Sequence, residues 1–318
     1  MFTIDPGQDE ERASDASAAP RLIQSSGFLL ALSDDWIVEC ASANVATFLG
    51  LQPGDLIGAA ASTFLSDDTI HSLRNRLALL RDPDGIERLF ACPLGAAGNA
   101  HDVAIHIAGD QVIVEAEPSA AKHYGDVTGT LRGMVKRLDD ADDVPGLCSA
   151  GARQMRALTG FDRVMVTRFD DDGSGVIIAE SARAASDTLV GARLPATAVD
   201  TAERAAFRRS PLHVTACVDA APVAIITDPS SSGHAPDLTR AVLRLASPGQ
   251  LDQLRSMGAQ ASVSIALEVD DALWGLITCH HHVARRVSFE RRSLAELFAQ
   301  MFAMRLEILQ LRALAGRS

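Results

Sequence analysis

The stretch Leu273-Trp-Gly-Leu-Ile-Thr-Cys-His-His281 decides how this chain folds. It is an apolar run of strand length, and Ala261 to Glu268 before it reads as a second strand, so Asp270-Asp271 becomes the two-residue turn of a hairpin. Neighbours on a strand point to opposite faces. Cys279 and the run His280-His-His282 therefore do not converge on one metal or haem iron without distortion, and no metal site is expected there.

Working outward, Val164 to Phe169 and Val176 to Glu180 form another hairpin across the turn cluster Asp170-Asp-Asp-Gly-Ser-Gly175. Gly129 to Leu138 and Val144 to Thr159 carry apolar residues at helical spacing, and Gly160 closes the second run. The irregular stretch Thr227 to Asp237, rich in Pro, Ser and Gly, is long for a compact domain, and such loops are usually functional. This unit resembles a GAF domain. Upstream, Gly27 to Ala31, Trp36 to Ala41, His101 to Ile107 and Gln111 to Ala116 read as strands flanking short helices, one closed by Gly50 and another over Asp67 to Leu80. That pattern is similar to a PAS domain. The expected fold is α+β: a flexible arm over residues 1–20, a PAS-like domain over 21–118, and a GAF-like domain over 125–318, each an antiparallel sheet flanked by helices.

Composition narrows the function. The 318 residues suffice for two ordinary domains. With 41 acidic against 29 basic residues, a net charge of -12 and scattered cations, neither nucleic acid nor an anionic membrane surface is an expected partner. The polar N-terminus has no apolar signal region and no later run approaches a membrane span, which points to a cytoplasmic protein. Five irregularly spaced cysteines, Cys40, Cys92, Cys148, Cys217 and Cys279, read as reduced thiols. A phosphate-cradling Gly-rich loop, a Gly-x-Ser-x-Gly elbow and a spaced metal-ligand set are all missing, so no catalysis is expected from this stretch.

The last segment, 288–316, reads as one long connecting helix. Ser288 is the expected N-cap with Glu290 in the first turn. Leu294, Leu297, Met301, Met304, Ile308 and Leu311 then alternate at three and four residues, an a/d seam of about two and a half heptads. A homodimer through this seam is expected.

Several motifs carry a specific resemblance. The hairpin strand above, the preceding Leu243-Arg-Leu-Ala-Ser-Pro-Gly-Gln-Leu-Asp-Gln-Leu-Arg-Ser-Met-Gly258, the run Gly160-Phe-Asp-Arg-Val-Met-Val-Thr-Arg-Phe-Asp170 and the element Leu22-Ile-Gln-Ser-Ser-Gly27 are co-linear with bacterial phytochromes. The resemblance implies a PAS–GAF photosensory module with a knot, in which the arm before the first domain threads a lasso insertion at about 227–244. It implies roles residue by residue. Arg244, Ser247, Ser262 and Ser264 match groups that bind bilin propionates, and His280 matches the histidine that bonds a terminal pyrrole carbonyl. The departures are more numerous. No cysteine stands at either known attachment position, upstream in Glu10 to Asp15 or at Gly249. Ala198 replaces the pyrrole-bridging aspartate, with Asp200 two positions away as a weak substitute. Gln250 replaces a histidine, His213 an arginine, and Thr167, Phe207 and Gln253 replace tyrosines; Tyr124 is the only tyrosine in the chain.

The expected function is the sensory input module of a bacteriophytochrome-like signal-transduction protein, a dimeric sensor histidine kinase acting on a response regulator through an output domain beyond Ser318. Its covalent pigment site is lost, no cofactor is expected, and redox sensing through Cys148 or Cys279 is the candidate stimulus; an intermolecular disulfide suits Cys148. The alternative keeps red/far-red photoreception with biliverdin bound noncovalently.

Overall fold

The computed structural model describes residues 21–81, 85–94, 98–120, 125–183, 187–227 and 235–315. The arm expected over 1–20 and the lasso segment 228–234 lie outside the described residues. Along the chain run β1 (Leu22–Ile23), β2 (Phe28–Leu32), β3 (Val38–Ser42), α1 (Val45–Leu49), α2 (Pro53–Leu56), α3 (Asp67–Leu77), β4 (Glu87–Leu94), β5 (Asn99–Ala108) and β6 (Gln111–Pro118). There follow α4 (Val127–Asp139), α5 (Val144–Thr159), β7 (Arg163–Phe169), β8 (Gly175–Ala182), β9 (Arg193–Leu194), a 3-10 turn (Ala196–Val199), α6 (Thr201–Arg209), β10 (Leu212–Thr215) and β11 (Val223–Thr227). Last come α7 (Pro248–Ser256), β12 (Ala261–Val269), β13 (Ala272–His281) and α8 (Phe289–Ala315).

Two antiparallel sheets result, so the fold is α+β. The second has the order β10-β12-β13-β7-β8-β9 and is built on the β12–β13 hairpin. Asp270 and Asp271 turn it with φ of 51° and 57°, left-handed values that aspartate tolerates better than most residues. Gly275 is required where β13 meets β7, because a Cβ there would run into the carbonyl oxygen of Thr167. Period two then sorts the sheet. Val164, Val166, Val214, Val263, Ile265, Ile277 and Cys279 are buried in a core with Phe161 and with Phe298, Phe302 and Leu306 of α8. The opposite face carries a cavity.

The first sheet has the order β1-β11-β3-β2-β6-β5-β4, and β11 comes from the second domain. Neither β11 nor β4 was expected as a strand. β11 is short and gains its partners from residues far away in sequence, while β4 is an edge strand with Pro93 and a register shift between Leu89 and Cys92. β1 is held between β11 on one side and the end of the lasso on the other, where Ile23 bridges Arg244 and the Gln24 N–H donates to the Leu243 carbonyl at 2.8 Å. The threading that the expected knot requires involves residues 1–20 and 228–234, outside the described residues.

Side chains finish the junction. Glu115 of β6 accepts the amides of Leu243 and Val242 at 2.8 and 2.9 Å, and Gln24 donates to the carbonyls of Val214 and Arg244 while accepting the amide of Ala216. Arg292 of α8, 3% exposed, forms a forked pair with Glu117 of β6, with its shortest contact 2.8 Å. Arg88 of β4 pairs with Glu296 one turn further along α8.

The long helix corrects one expectation. Ser288 does cap it, accepting the Arg291 amide at 3.4 Å, but Leu294 is buried in the domain core instead of joining the outward seam. The helix carries two stripes. Phe298, Phe302, Leu306 and Leu309 are buried in the domain core, while Leu297, Met304, Ile308, Leu311 and Leu314 are exposed, Leu311 at 57%.

Candidate ligand-binding site

The face of the second sheet opposite α8 forms one wall of a cavity, and α7 and the 3-10 turn close it. Alternation selects the wall: Met165, Thr167 and Phe169 from β7, His213 and Thr215 from β10, Ser262 and Ser264 from β12, and Leu276, Thr278 and His280 from β13. Ala198 and Val199 of the turn, Gln250, Gln253 and Leu254 of α7, and Met257 at its C-terminal cap cover it. The cavity volume is about 50 Å³, so the cavity is a narrow slot. Threonine, serine and amide side chains dot an otherwise apolar lining. Among the described residues, no carboxylate and no thiol lines the slot.

His213 and Gln250 also line a second compartment, so the slot continues into a charged vestibule with Asp200, Glu203, Phe207, Arg244 and Ser247. Two helix starts meet here. Asp200 caps α6 by accepting the Glu203 amide at 2.8 Å, and Ser247 caps α7 by accepting the Gln250 amide at 3.2 Å. Asp200, named as a weak substitute for the aspartate missing at Ala198, lines the vestibule and not the slot, and one of its carboxylate oxygens caps the helix.

Burial sets the charges. His280 is pushed down to about 4, first by burial and then by Arg163, and His213 is driven well below its ordinary range by burial and Arg244. Both imidazoles are neutral at pH 7. Burial also lifts Glu203 to about 7, opposed by the Ser247 hydroxyl and by Arg244. Arg244 lies over the Phe207 ring, with its guanidinium carbon 6.0 Å from the centroid. Its Nε and both ring nitrogens of His213 are buried without a hydrogen-bond partner among the described residues. Orphaned polar atoms of this kind are rare in a finished core and cost about 1–3 kcal/mol each.

The structure therefore brings together all eleven pocket positions named from the sequence, the five retained and the six altered. It separates the two thiols from them. Cys279 faces the helical core and Cys148 is fully buried on α5, each raised to about 12 by burial. Cys148 is enclosed within its own chain, which counts against the expected intermolecular disulfide, and a thiol kept protonated is a poor redox sensor. Cys40 and Cys92 are buried and raised as well. At the end of β13 the histidines separate only in part, because His281 and His282, expected on opposite faces, converge on one carboxylate. His280 enters the slot, whereas His281 and His282 turn to Asp162, whose carboxylate also accepts the His282 amide and pairs with Arg183 at 2.9 Å. That carboxylate is already satisfied, and its neighbours Arg183 and Arg285 disfavour a cation.

Glu203 escaped the sequence reading altogether. Its signal was available: it sits three residues after a helix-capping aspartate, so the first turn of α6 fixes its position. Thr215 and Thr278 were legible from His213 and His280 by period two.

Comparison with known proteins places these features. The family described as GAF domain matches residues 143–308, and the one described as PAS fold matches 14–119. The chromophore-binding domain of Stigmatella aurantiaca phytochrome P1 superposes with a TM-score of 0.81 and is 30% identical, covering 91% of this chain and 98% of that one. The corresponding domain of an unusual bacteriophytochrome from R. palustris gives a TM-score of 0.82 at 29% identity, covering 92% of this chain and 97% of that one. A bacteriophytochrome from Xanthomonas campestris is 34% identical over 92% of this chain, which spans 46% of that relative.

Proposed function

The chain belongs to the phytochrome family as a PAS–GAF module, and from that premise we propose that it is a sensory input module whose pocket takes a planar ligand noncovalently and has lost red-light sensing. One observation carries the reading: the slot is lined by neither thiol nor carboxylate among the described residues, while Arg244 and His213 keep buried nitrogens without partners at its mouth. A thioether needs a cysteine within reach, and a protonated tetrapyrrole needs a counter-charge beside its pyrrole nitrogens. The residues present do not fit that group. They fit an uncharged planar body that hydrogen-bonds to Ser262, Ser264 and His280, with a polar arm in the vestibule.

A second reading, noncovalent photoreception with biliverdin, is favoured by the same retained residues facing one cavity. Mixing the protein with biliverdin and recording its absorption before and after red illumination separates the two. The expected result is no photoconversion; a sharpened far-red band that photoconverts establishes the second reading and ends the first.

The parent protein we propose is a dimeric sensor histidine kinase working through a response regulator. The chain spans 38% to 46% of the first four curated relatives, which include a phytochrome-like protein of Synechocystis, so the output lies outside the matched region. The exposed stripe of α8 supports the dimer. Ile308→Glu is expected to turn a dimer into a monomer in analytical ultracentrifugation; an unchanged mass places the interface elsewhere. No helix among the described residues is long and apolar enough to cross a membrane.

A further inference from the structure

We propose that the Glu203 carboxylate is a built-in competitor for the acidic arm of a ligand, occupying the vestibule subsite of Arg244 and Ser247 and so biasing the pocket toward ligands without a free carboxylate at that end. The inference rests on the reading of slot and vestibule as one ligand site.

The geometry builds this competitor from two helix starts. Asp200 fixes the amide of Glu203 in the first turn of α6, and the Ser247 hydroxyl, already accepting the Gln250 amide, donates to Glu203 Oε1 at 3.3 Å. Glu203 thus uses the outward-facing proton of Ser247, the donor an incoming carboxylate would need. Arg244 attracts Glu203 without closing to an ion pair, and its Nε stays unpartnered. The subsite is therefore half filled: it has one guanidinium, one internal carboxylate, and a donor still free for a second acceptor.

A ligand carboxylate would bring a second anion to that single guanidinium. Two carboxylates sharing one cation do not both stay ionised at close range, so either the ligand is rejected or Glu203 takes up a proton. The surroundings favour the proton. Asp200 on the same helix and Glu115 from β6 add carboxyl groups, His213 from β10 is neutral, and Arg244 is the one cation acting on Glu203 among the described residues. Burial has already raised Glu203 to about 7, so an acidic ligand gains as the pH falls through that value.

The test uses biliverdin, which carries two free carboxylates, and its dimethyl ester, which carries none, titrated by absorbance against the wild type, Glu203→Gln and Glu203→Ala at pH 8. Removing the charge is expected to tighten the diacid about tenfold, the equivalent of one pKa unit of coupling, in both variants while leaving the ester within about twofold. At pH 6 the wild type is expected to close most of the gap. Equal changes for diacid and ester reveal mere steric opening and overturn the proposal, as does no change for either. If the ester binds the wild type, the pocket reading stands whatever Glu203 does. If neither probe binds any of the three proteins, the competitor falls, while the reading of a pocket unsuited to a tetrapyrrole stands.

Discussion

Two buried polar clusters flank the lasso, and they obey opposite rules. At the junction between the sheets, Gln24, Glu117 and Arg292 are joined by hydrogen bonds across sequence separations of more than 170 residues. In the vestibule, His213 is as deeply buried and Arg244 half-buried, yet both keep buried nitrogens without partners among the described residues. Buried polar atoms persist either because the fold needs them or because another molecule does. Satisfied groups should then be costly to change, and unsatisfied ones cheap.

The largest effect should come from Glu117→Ala. It strands the Arg292 guanidinium, 3% exposed, without a counter-charge, and breaking a buried pair from one side costs about 3–5 kcal/mol. Urea denaturation measures it. The double variant Glu117→Met with Arg292→Met is expected to recover most of the loss, because it removes both desolvation penalties. A cost below about 1 kcal/mol for the single change would put the junction on the same footing as the vestibule and break the contrast.

Gln24→Ala comes next. It deletes two donated bonds and one accepted bond that tie β1 to β10 and to the end of the lasso. A net loss of about 2–3 kcal/mol is expected at about 1 per bond. Hydrogen exchange sharpens the result: the amide of Ala216, which donates to the Gln24 side chain, is expected to lose protection first, which a merely local defect in β1 would not produce.

Glu115 tests the junction through pH. Burial raises it to about 7 against the two amides it accepts, so between about 4.5 and 7 the folded protein keeps a proton that the unfolded chain has released. Its stabilising contribution is complete below that window and is lost as pH rises through it, with a slope of at most about 1.4 kcal/mol per pH unit. His106 lies 4.0 Å away and is pushed down to about 4, so it is neutral there and forms no ion pair. Its own titration runs in the opposite sense, so the informative quantity is wild type minus Glu115→Gln, which keeps the shape and one acceptor but does not ionise. That difference is expected to fall from pH 5 to pH 7; a flat difference means Glu115 is ionised throughout.

The contrast also explains what the sequence made legible. The hairpin of β12 and β13 was readable because its turn and its alternation are local, and the same alternation put Ser262, Ser264 and His280 on one face. The slot was legible because the resemblance supplied a set of positions and period two agreed with it. Partners were not legible. Nothing near Glu117 announces Arg292, and β11 looks like loop until it finds β3, because these contacts close over long stretches of chain. Cys148 was misjudged for a related reason: a helix can be placed from its spacing, but which of its faces meets α8 depends on the partner, and Gly151 brings α5 so close to Phe302 that the thiol is enclosed.

The smallest effect, and the one of opposite sign, belongs to His213. It is 6% exposed, neutral, and without a partner for either ring nitrogen among the described residues, so the folded protein carries the desolvation of two polar atoms and gains no hydrogen bond from them. His213→Leu removes both atoms and keeps much of the volume, against Phe207 and the aliphatic part of Gln250. Stability is expected to stay level or rise by up to about 1 kcal/mol, since exchanging an unsatisfied polar group for an apolar one of similar shape is neutral or favourable. Urea denaturation at pH 7 decides, where the imidazole is uncharged and no titration intervenes. A loss of about 2 kcal/mol or more would mean that His213 has a partner in solution, such as a water held in the slot; the vestibule would then belong to the framework, and the distinction between the two clusters would rest on Arg244 alone.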